Sequence, residues 1–206
     1  MTLFILAQMF AGIVGGVSTL SADGRSVVSG ESIRISLYKP ENGATAMAFA
    51  GWHFNDYLSA QGSYSWNRND VTLTASQAAA FYEQPRTATL QTVAGELMLY
   101  FRDRRSFARP YLTAGGGLTR LGSDPAGAAL VRGAAPPAPG SFADTKPALR
   151  VAVGIDLRIS RGLAFRYSFS ETIQPNAISE QLTPPGERNL ANFQNLFGLM
   201  WRFHRF

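Results

Sequence analysis

The sequence contains no cysteine and has only two lysines and two histidines. Without cysteine the chain can form neither a disulfide framework nor a thiolate metal site, and we expect no metal and no cofactor. Nearly all of the positive charge is arginine, whereas a soluble surface is normally rich in lysine. Beyond residue 22 no stretch is apolar enough for a membrane-spanning helix. These absences disfavour both an ordinary soluble protein and a helical membrane protein.

The composition is consistent with a single domain, 1–206, that is built from β-sheet. The chain has 20 glycines, 14 phenylalanines and 7 tyrosines, which suit close backbone contacts and aromatic girdles. Its formal net charge is +5. However, the basic residues form no lysine-rich run and no stripe with interleaved aromatics, so we expect no nucleic-acid partner.

The clearest pattern lies in residues 148–171, ALRVAVGIDLRISRGLAFRYSFSE. From Leu149 to Ile159 every second residue is aliphatic, and after a short turn at 160–162 the alternation resumes up to Phe169. A period of two predicts two strands joined by a tight turn. The face opposite the apolar one carries arginine and serine, which is typical of a membrane-spanning barrel strand of about 9 to 11 residues with its apolar face in lipid. A soluble sandwich core is the competing interpretation.

The N-terminal residues 2–21 carry no charge, which suits a signal peptide, a spanning helix or a lipid-facing strand. A signal peptide should open with a basic residue, and none precedes Arg25, while Gly12, Gly15 and Gly16 weaken a helix. We therefore predict a first strand at 7–20, preceded by an N-terminal extension at 1–6.

The connections between predicted strands alternate in length. Short ones fall near residues 55, 104 and 161, and long ones at 22–43, 68–89, 121–146 and 173–190. With a last strand at 191–203, the count is eight. This order predicts an all-β, up-and-down antiparallel transmembrane barrel with short periplasmic turns and long extracellular loops. Without the N-terminal strand, two sheet edges would stay open in lipid.

The strand faces opposite the lipid-facing residues predict a polar lumen. Its charged members are Glu96, Arg150, Asp156, Arg158, Arg166 and Arg202. Side chains fill the interior of an eight-stranded barrel, so we expect the arginines to pair with the two carboxylates and leave no continuous water path. A narrow porin-like channel for small solutes is the alternative.

The short connections carry an excess of arginine. The members of this predicted basic rim are Arg102, Arg104, Arg105 and Arg161. Only Asp56 and Asp103 oppose them, so we expect a basic periplasmic rim suited to phospholipid phosphates or to carboxylates of the cell-wall polymer.

Residues 198–203, GLMWRF, resemble the C-terminal β-signal of the small outer-membrane β-barrels of Gram-negative bacteria, of the porin-like, OmpA type. The signal consists of a glycine, an aromatic residue and a phenylalanine, here Gly198, Trp201 and Phe203. The sequence departs from the usual signal in two ways. Residues 204–206 follow the phenylalanine, and Leu196 stands where a polar residue is expected. The resemblance implies an outer-membrane location, insertion by the barrel-assembly machinery, and outer-membrane lipids and lipopolysaccharide as partners of a monomer.

Two other functions can be weighed against a structural or surface-interaction scaffold. Some barrels of this size modify lipid A with a histidine, a serine and a carboxylate on the lipid-facing rim. Neither His53 nor His204 belongs to the His-X-Ser pattern of the deacylases, and we expect both to be interfacial or exposed, in a protein that is not an enzyme. A soluble lipocalin-like binder is disfavoured by the scarcity of lysine and by the terminal signal.

Overall fold

The computed structural model of the protein describes residues 9–21, 24–28, 34–77, 80–133, 140–178 and 188–203. These residues contain the strands β1 (Met9–Ser21), β2 (Gly24–Val28), β3 (Arg34–Pro40), β4 (Asn42–His53), β5 (Leu58–Gln77), β6 (Ala80–Tyr100), β7 (Ala108–Pro125), β8 (Leu130–Arg132), β9 (Phe142–Arg158), β10 (Leu163–Pro175) and β11 (Asn189–Arg202). Among the described residues, none form a helix that is long and apolar enough to cross a membrane.

Eight of these strands form a closed antiparallel barrel in the order β1-β4-β5-β6-β7-β9-β10-β11. The barrel closes where β1 pairs with β11, from Phe10 opposite Arg202 to Ser21 opposite Ala191. The predicted all-β, eight-stranded barrel is therefore confirmed. Strand β1 covers most of the predicted 7–20, β11 begins two residues before the predicted 191, and the extension at 1–6 lies outside the described residues.

Short turns join β4 to β5, β6 to β7 and β9 to β10 at one end of the barrel. In the first, the side-chain oxygen of Asn55 accepts hydrogen bonds from the backbone N–H groups of Tyr57 and Leu58, at 2.8 and 2.7 Å. In the second, the Asp103 carboxylate accepts from the backbone N–H groups of Arg105 and Ser106, at 3.0 and 2.9 Å. These Asx turns reverse the chain tightly. Short turns lie at the periplasmic end of membrane barrels of this kind, so this is the periplasmic end.

Two of the predicted long loops are largely β-structure, so the sequence-based interpretation of 22–43 and 68–89 as loops is wrong. Strands β5 and β6 pair without a break as far as Gln77 opposite Ala80. Strand β3 pairs with the distal part of β5, β2 pairs with β3, and β8 pairs with β6. The 20 residues of β5 extend over roughly 65 Å, whereas the lipid-facing band of such barrels is only about 25 Å tall. We call β2, β3, β8 and the distal parts 71–77 of β5 and 80–86 of β6 the extracellular arm.

The side-chain pattern reverses between the membrane and the extracellular side. In the membrane half of β5, Tyr64 is 45% exposed outside and Ser65 is buried inside, whereas further along Leu73 is fully buried inside. On β6, Val93 is 61% exposed outside but Leu90 is buried inside. The reason is that the outer surface meets lipid in one half and water in the other, so the apolar residues change sides.

An apolar cluster lies in the extracellular half of the interior, together with buried polar side chains such as Asn69, Arg86 and Ser123. Its members are Leu20, Val71, Leu73, Tyr82, Ala88, Leu90, Leu121, Ala177, Ile178 and Leu190. Ala177 and Ile178 belong to the connection after β10, which turns into the barrel at this point. The lumen is therefore polar only in part in the extracellular half, where apolar and polar side chains are both buried.

Candidate functional site

A buried ion pair occupies the centre of the barrel. Asp156 on β9 and Arg166 on β10 are direct cross-strand partners, and both side chains point inward. The guanidinium Nε lies 2.7 Å from one carboxylate oxygen, and an Nη2 hydrogen bond of 2.8 Å reaches the other. This two-pronged geometry is the strongest form of charge-assisted hydrogen bond, and both side chains are at most 3% exposed.

The hydrogen-bond network continues from this pair across the lumen. The Tyr100 hydroxyl donates to Asp156 at 2.8 Å, and Arg166 Nη1 donates to the Gln61 side-chain oxygen at 2.7 Å. Gln61 Nε2 then donates to Glu96 at 2.8 Å, and the other oxygen of Glu96 lies 3.0 Å from Arg150 Nε. We call Gln61, Glu96, Tyr100, Arg150, Asp156 and Arg166 the central layer. Its two arginines balance its two carboxylates.

Aromatic rings surround the Arg166 guanidinium. Its carbon lies 4.5 Å from the ring centroid of Phe49, 4.9 Å from that of Tyr111 and 5.6 Å from that of Phe10. Cation–π contacts of this kind replace part of the hydration that the buried cation loses. These aromatics were not among the residues predicted for the lumen, although their inward position in the alternating pattern of β1, β4 and β7 was the available signal.

A second set of polar contacts extends from Arg150 of the central layer. Arg150 Nη2 donates to the Ser170 hydroxyl at 2.9 Å, and that hydroxyl donates to the Gln194 side-chain oxygen at 3.0 Å. Gln194 Nε2 in turn donates to the Thr45 hydroxyl at 3.2 Å. In the membrane half the interior therefore combines this polar network with a second apolar cluster, which includes Phe10, Phe49 and Met200.

The residues predicted for the lumen do not all lie there. Glu96, Arg150, Asp156 and Arg166 are in the central layer. Arg158 is exposed instead, and its Nη1 donates to the backbone oxygen of Arg105 at 2.8 Å. The prediction for Arg158 is wrong because β9 ends at this residue, so its side chain leaves the barrel instead of pointing into it.

A basic cleft lies across the periplasmic mouth of the barrel. Its lining residues come from all three short turns and from the ends of β9 and β11: Asp56, Asp103, Arg104, Arg105, Arg158, Arg161 and Arg202. We call this cavity of about 470 Å³ the periplasmic cleft. Of the residues predicted for the rim, three contribute to it, while Arg102 is exposed on the same turn. Arg202, predicted for the lumen, is a further lining residue.

The two carboxylates of the periplasmic cleft have structural partners. Asp56 pairs with Arg104 Nε at 2.9 Å. Asp103 accepts a hydrogen bond from the Ser106 hydroxyl at 3.0 Å, and this bond, with the backbone bonds of the turn, holds the pKa of Asp103 below its ordinary value. Five arginines against two carboxylates leave the cleft with a formal charge of +3.

His53 is buried at the periplasmic end of the interior, so the prediction of an interfacial or exposed histidine is wrong here. Its Nδ1 lies 2.6 Å from the Ser59 hydroxyl. Its ring centroid lies 4.6 Å from that of Phe10 and 5.7 Å from that of Tyr100. The reason is that the last residue of β4 faces inward. His204 lies outside the described residues, and within those residues no cluster of three or more histidine or carboxylate side chains could hold a metal ion.

The residues of the predicted assembly signal lie at the barrel seam, with Gly198 on the inward face of β11 and Trp201 and Phe203 on the lipid-facing side. A β-carbon at Gly198 would lie 2.7 Å from the Cα of Val14 on β1, so the seam requires glycine there. Trp201 and Phe203 point outward and are 43% and 50% exposed. Their role in assembly remains a proposal.

Comparison with known proteins agrees with this architecture. Neisserial surface protein A superimposes with a TM-score of 0.61 at 15% identity, covering 95% of this chain and 97% of that one. The outer membrane protein OprG from Pseudomonas aeruginosa gives a TM-score of 0.56 at 11% identity, covering 98% of each chain. Among curated proteins, no sequence matches significantly.

The family model of the outer membrane protein β-barrel domain matches residues 7–203. This match covers nearly the whole chain and confirms the predicted resemblance and the predicted outer-membrane location. The chain therefore belongs to the outer membrane protein β-barrel domain family and is an integral protein of the outer membrane.

Proposed function

We propose that this protein is a non-conducting outer-membrane anchor that holds the extracellular arm outside the cell for contact with other molecules. The central layer carries this proposal, because its hydrogen bonds run from the β9–β10 wall to the β5–β6 wall. Arg166 bonds to Asp156 on one side and to Gln61 on the other, and all three are at most 5% exposed.

Energetics support a closed lumen. Opening a water path requires the separation of a buried pair such as Glu96 and Arg150, whose side chains are 1% and 2% exposed. These paired side chains and their hydrogen-bonded neighbours occupy the lumen, as side chains generally do in an eight-stranded barrel. The apolar cluster above the central layer adds a second barrier to ions.

The extracellular arm is suited to contact because water, not lipid, surrounds it. Its exposed side chains include Glu83 of β6 and Leu130 and Val131 of β8, so it offers both polar and apolar contacts. In the described part of the chain its sheet has the order β2-β3-β5-β6-β8, with β2 and β8 at the edges. Such edges present backbone hydrogen-bonding groups to partners.

Planar-bilayer recording on the refolded protein tests the closed lumen. We expect no steady conductance from the wild type. The double variant Glu96→Ala with Arg150→Ala, which removes one pair but keeps Asp156 and Arg166, should show openings and so prove the sensitivity of the assay. Steady conductance from the wild type would favour the alternative function, a narrow channel for small solutes.

We also propose that the protein is not an enzyme. His53, the one histidine among the described residues, is buried inside the barrel with Ser59 and does not reach the lipid-facing rim that a lipid A-modifying enzyme uses. Incubation of the purified protein with lipid A, followed by mass spectrometry, should leave the lipid unchanged. Loss or gain of an acyl chain would contradict this.

A further inference from the structure

The periplasmic cleft is built by residues that are far apart in the sequence. Asp56 comes from the β4–β5 turn, Arg104 and Arg105 from the β6–β7 turn, and Arg161 from the β9–β10 turn. The closed barrel brings these turns together, and the cleft gains Arg158 and Arg202 from strand ends. The resulting concentration of positive charge is a property of the site and not of any single turn.

Arg202 is a buried donor in this cleft. It is 7% exposed, and its Nη2 donates to the backbone oxygen of Ser160 at 3.3 Å. Its Nε has no hydrogen-bond partner in the part of the chain that the structure describes. A buried guanidinium that lacks a carboxylate partner is costly, so an anion in the cleft that compensates its charge gains free energy.

The number and direction of the donors indicate the chemistry of the ligand. A carboxylate is planar and is satisfied by one guanidinium fork, whereas a phosphate group presents several oxygens in different directions. Arginines from three separate chain segments, such as Arg105, Arg161 and Arg202, line the cleft. We propose that the periplasmic cleft binds the phosphate group of a phosphate ester.

A phospholipid head group and a soluble phosphate ester share this chemistry. The neighbouring surface favours the lipid, because exposed aromatic residues surround the periplasmic end: Phe101 is 60% exposed, Phe107 63% and Phe203 50%. Aromatic girdles of this kind lie at the level of the head groups. The rim of the cleft therefore lies at the level of the phosphates of the inner leaflet.

The first part of the test uses the full chain refolded in an uncharged detergent and titrated with inorganic phosphate by calorimetry. Arg158→Gln and Arg161→Gln change exposed residues of the cleft and should fold normally. Each should weaken phosphate binding by about tenfold or more, as expected for the loss of a charged hydrogen bond. The matched control is Arg102→Gln, which removes one charge from an exposed position of the β6–β7 turn outside the cleft and should change the affinity by less than about threefold.

The second part places the same proteins in bilayers of mixed phosphatidylglycerol and phosphatidylcholine, and native mass spectrometry measures which lipid stays bound. Retention of phosphatidylglycerol by the wild type and by Arg102→Gln, but not by Arg158→Gln, would assign the phosphate to a lipid. If the cleft binds inorganic phosphate but the wild type retains no phosphatidylglycerol, the natural ligand would be a soluble phosphate ester. Absence of cleft-dependent binding in both parts, or equal losses in Arg102→Gln and Arg158→Gln, would overturn the proposal. These results do not depend on whether the lumen conducts ions.

Discussion

Removal of the negative charge of Asp156 tests whether the interior is as dry as the structure indicates. The substitution Asp156→Asn keeps the size of the side chain but leaves the Arg166 cation without its carboxylate fork, at a position that is 1% exposed. The remaining partners of Arg166 are neutral, namely Gln61, the Tyr100 hydroxyl, the Met200 sulfur and aromatic rings. An uncompensated buried charge costs about 3 to 5 kcal/mol, and we expect the free energy of unfolding to fall by this amount.

The assay is a urea titration of the protein refolded in detergent, followed by the fluorescence of its 3 tryptophans. The control is Asp144→Asn, which breaks a pair with Lys146 of similar length, 2.9 Å, whose side chains are 39% and 27% exposed. An exposed pair is worth less than about 1 kcal/mol. If Asp156→Asn also lost less than about 1 kcal/mol, water would reach the central pair and the closed lumen would be refuted.

A double variant separates the destabilisation caused by an unpaired buried charge from the net contribution of the ion pair to stability. Asp156→Leu combined with Arg166→Met replaces both charges by apolar side chains in surroundings that include Phe49, Tyr111 and Met200. Replacing a buried pair in this way is often nearly neutral, although Tyr100 and Gln61 lose partners here. We expect the double variant to lose at least about 2 kcal/mol less than the sum of the two single variants. Additive losses would indicate that the two side chains do not interact.

Three further predictions concern the faces and the orientation of the barrel. Val153→Arg places a charge on an outward position that is 52% exposed to lipid, and it should lower the free energy of unfolding by about 2 to 4 kcal/mol. A urea titration of this variant that matched the wild type would mean that Val153 faces the lumen. Leu73→Ala should cost about 2 to 5 kcal/mol by opening the apolar cluster, whereas Thr72→Ala on the opposite face should cost less than about 0.5 kcal/mol; equal losses would contradict the reversal of the pattern. Trypsin added to intact cells should cut after the exposed Arg132 and not after Arg105, and the opposite result would reverse the topology.

Much of the barrel could be predicted from local sequence. The alternation around 148–171 and the regular sequence of short and long connections predicted the eight strands and their order, because the period of a strand and the length of a turn depend on neighbouring residues. The same rule identified five of the six charged residues predicted for the lumen as inward-facing. The rule failed for Arg158 because alternation ends where a strand ends, and the sequence does not locate the end of a strand to within one residue.

The extracellular arm was missed for a different reason. Polar residues near Asp70 and Thr87 were interpreted as loop, although alternate positions such as Leu73 and Leu90 are apolar. The signal was a change of the apolar residues from one face to the other along a single strand. Recognising this change in the sequence requires the expectation that the surroundings of the strand change from lipid to water along its length.

The sequence by itself determined that this chain is a membrane barrel, because alternation, scarce lysine and the terminal signal are local properties. The tertiary structure decided which side chains meet. Asp156 and Arg166 face each other across one turn, but Gln61 and Glu96 reach them only because the sheet closes. In the same way, the arginines of the periplasmic cleft share one cavity only because the barrel brings three turns to one mouth. Contacts across a closed sheet depend on its curvature and register, and neither quantity is encoded within a single strand.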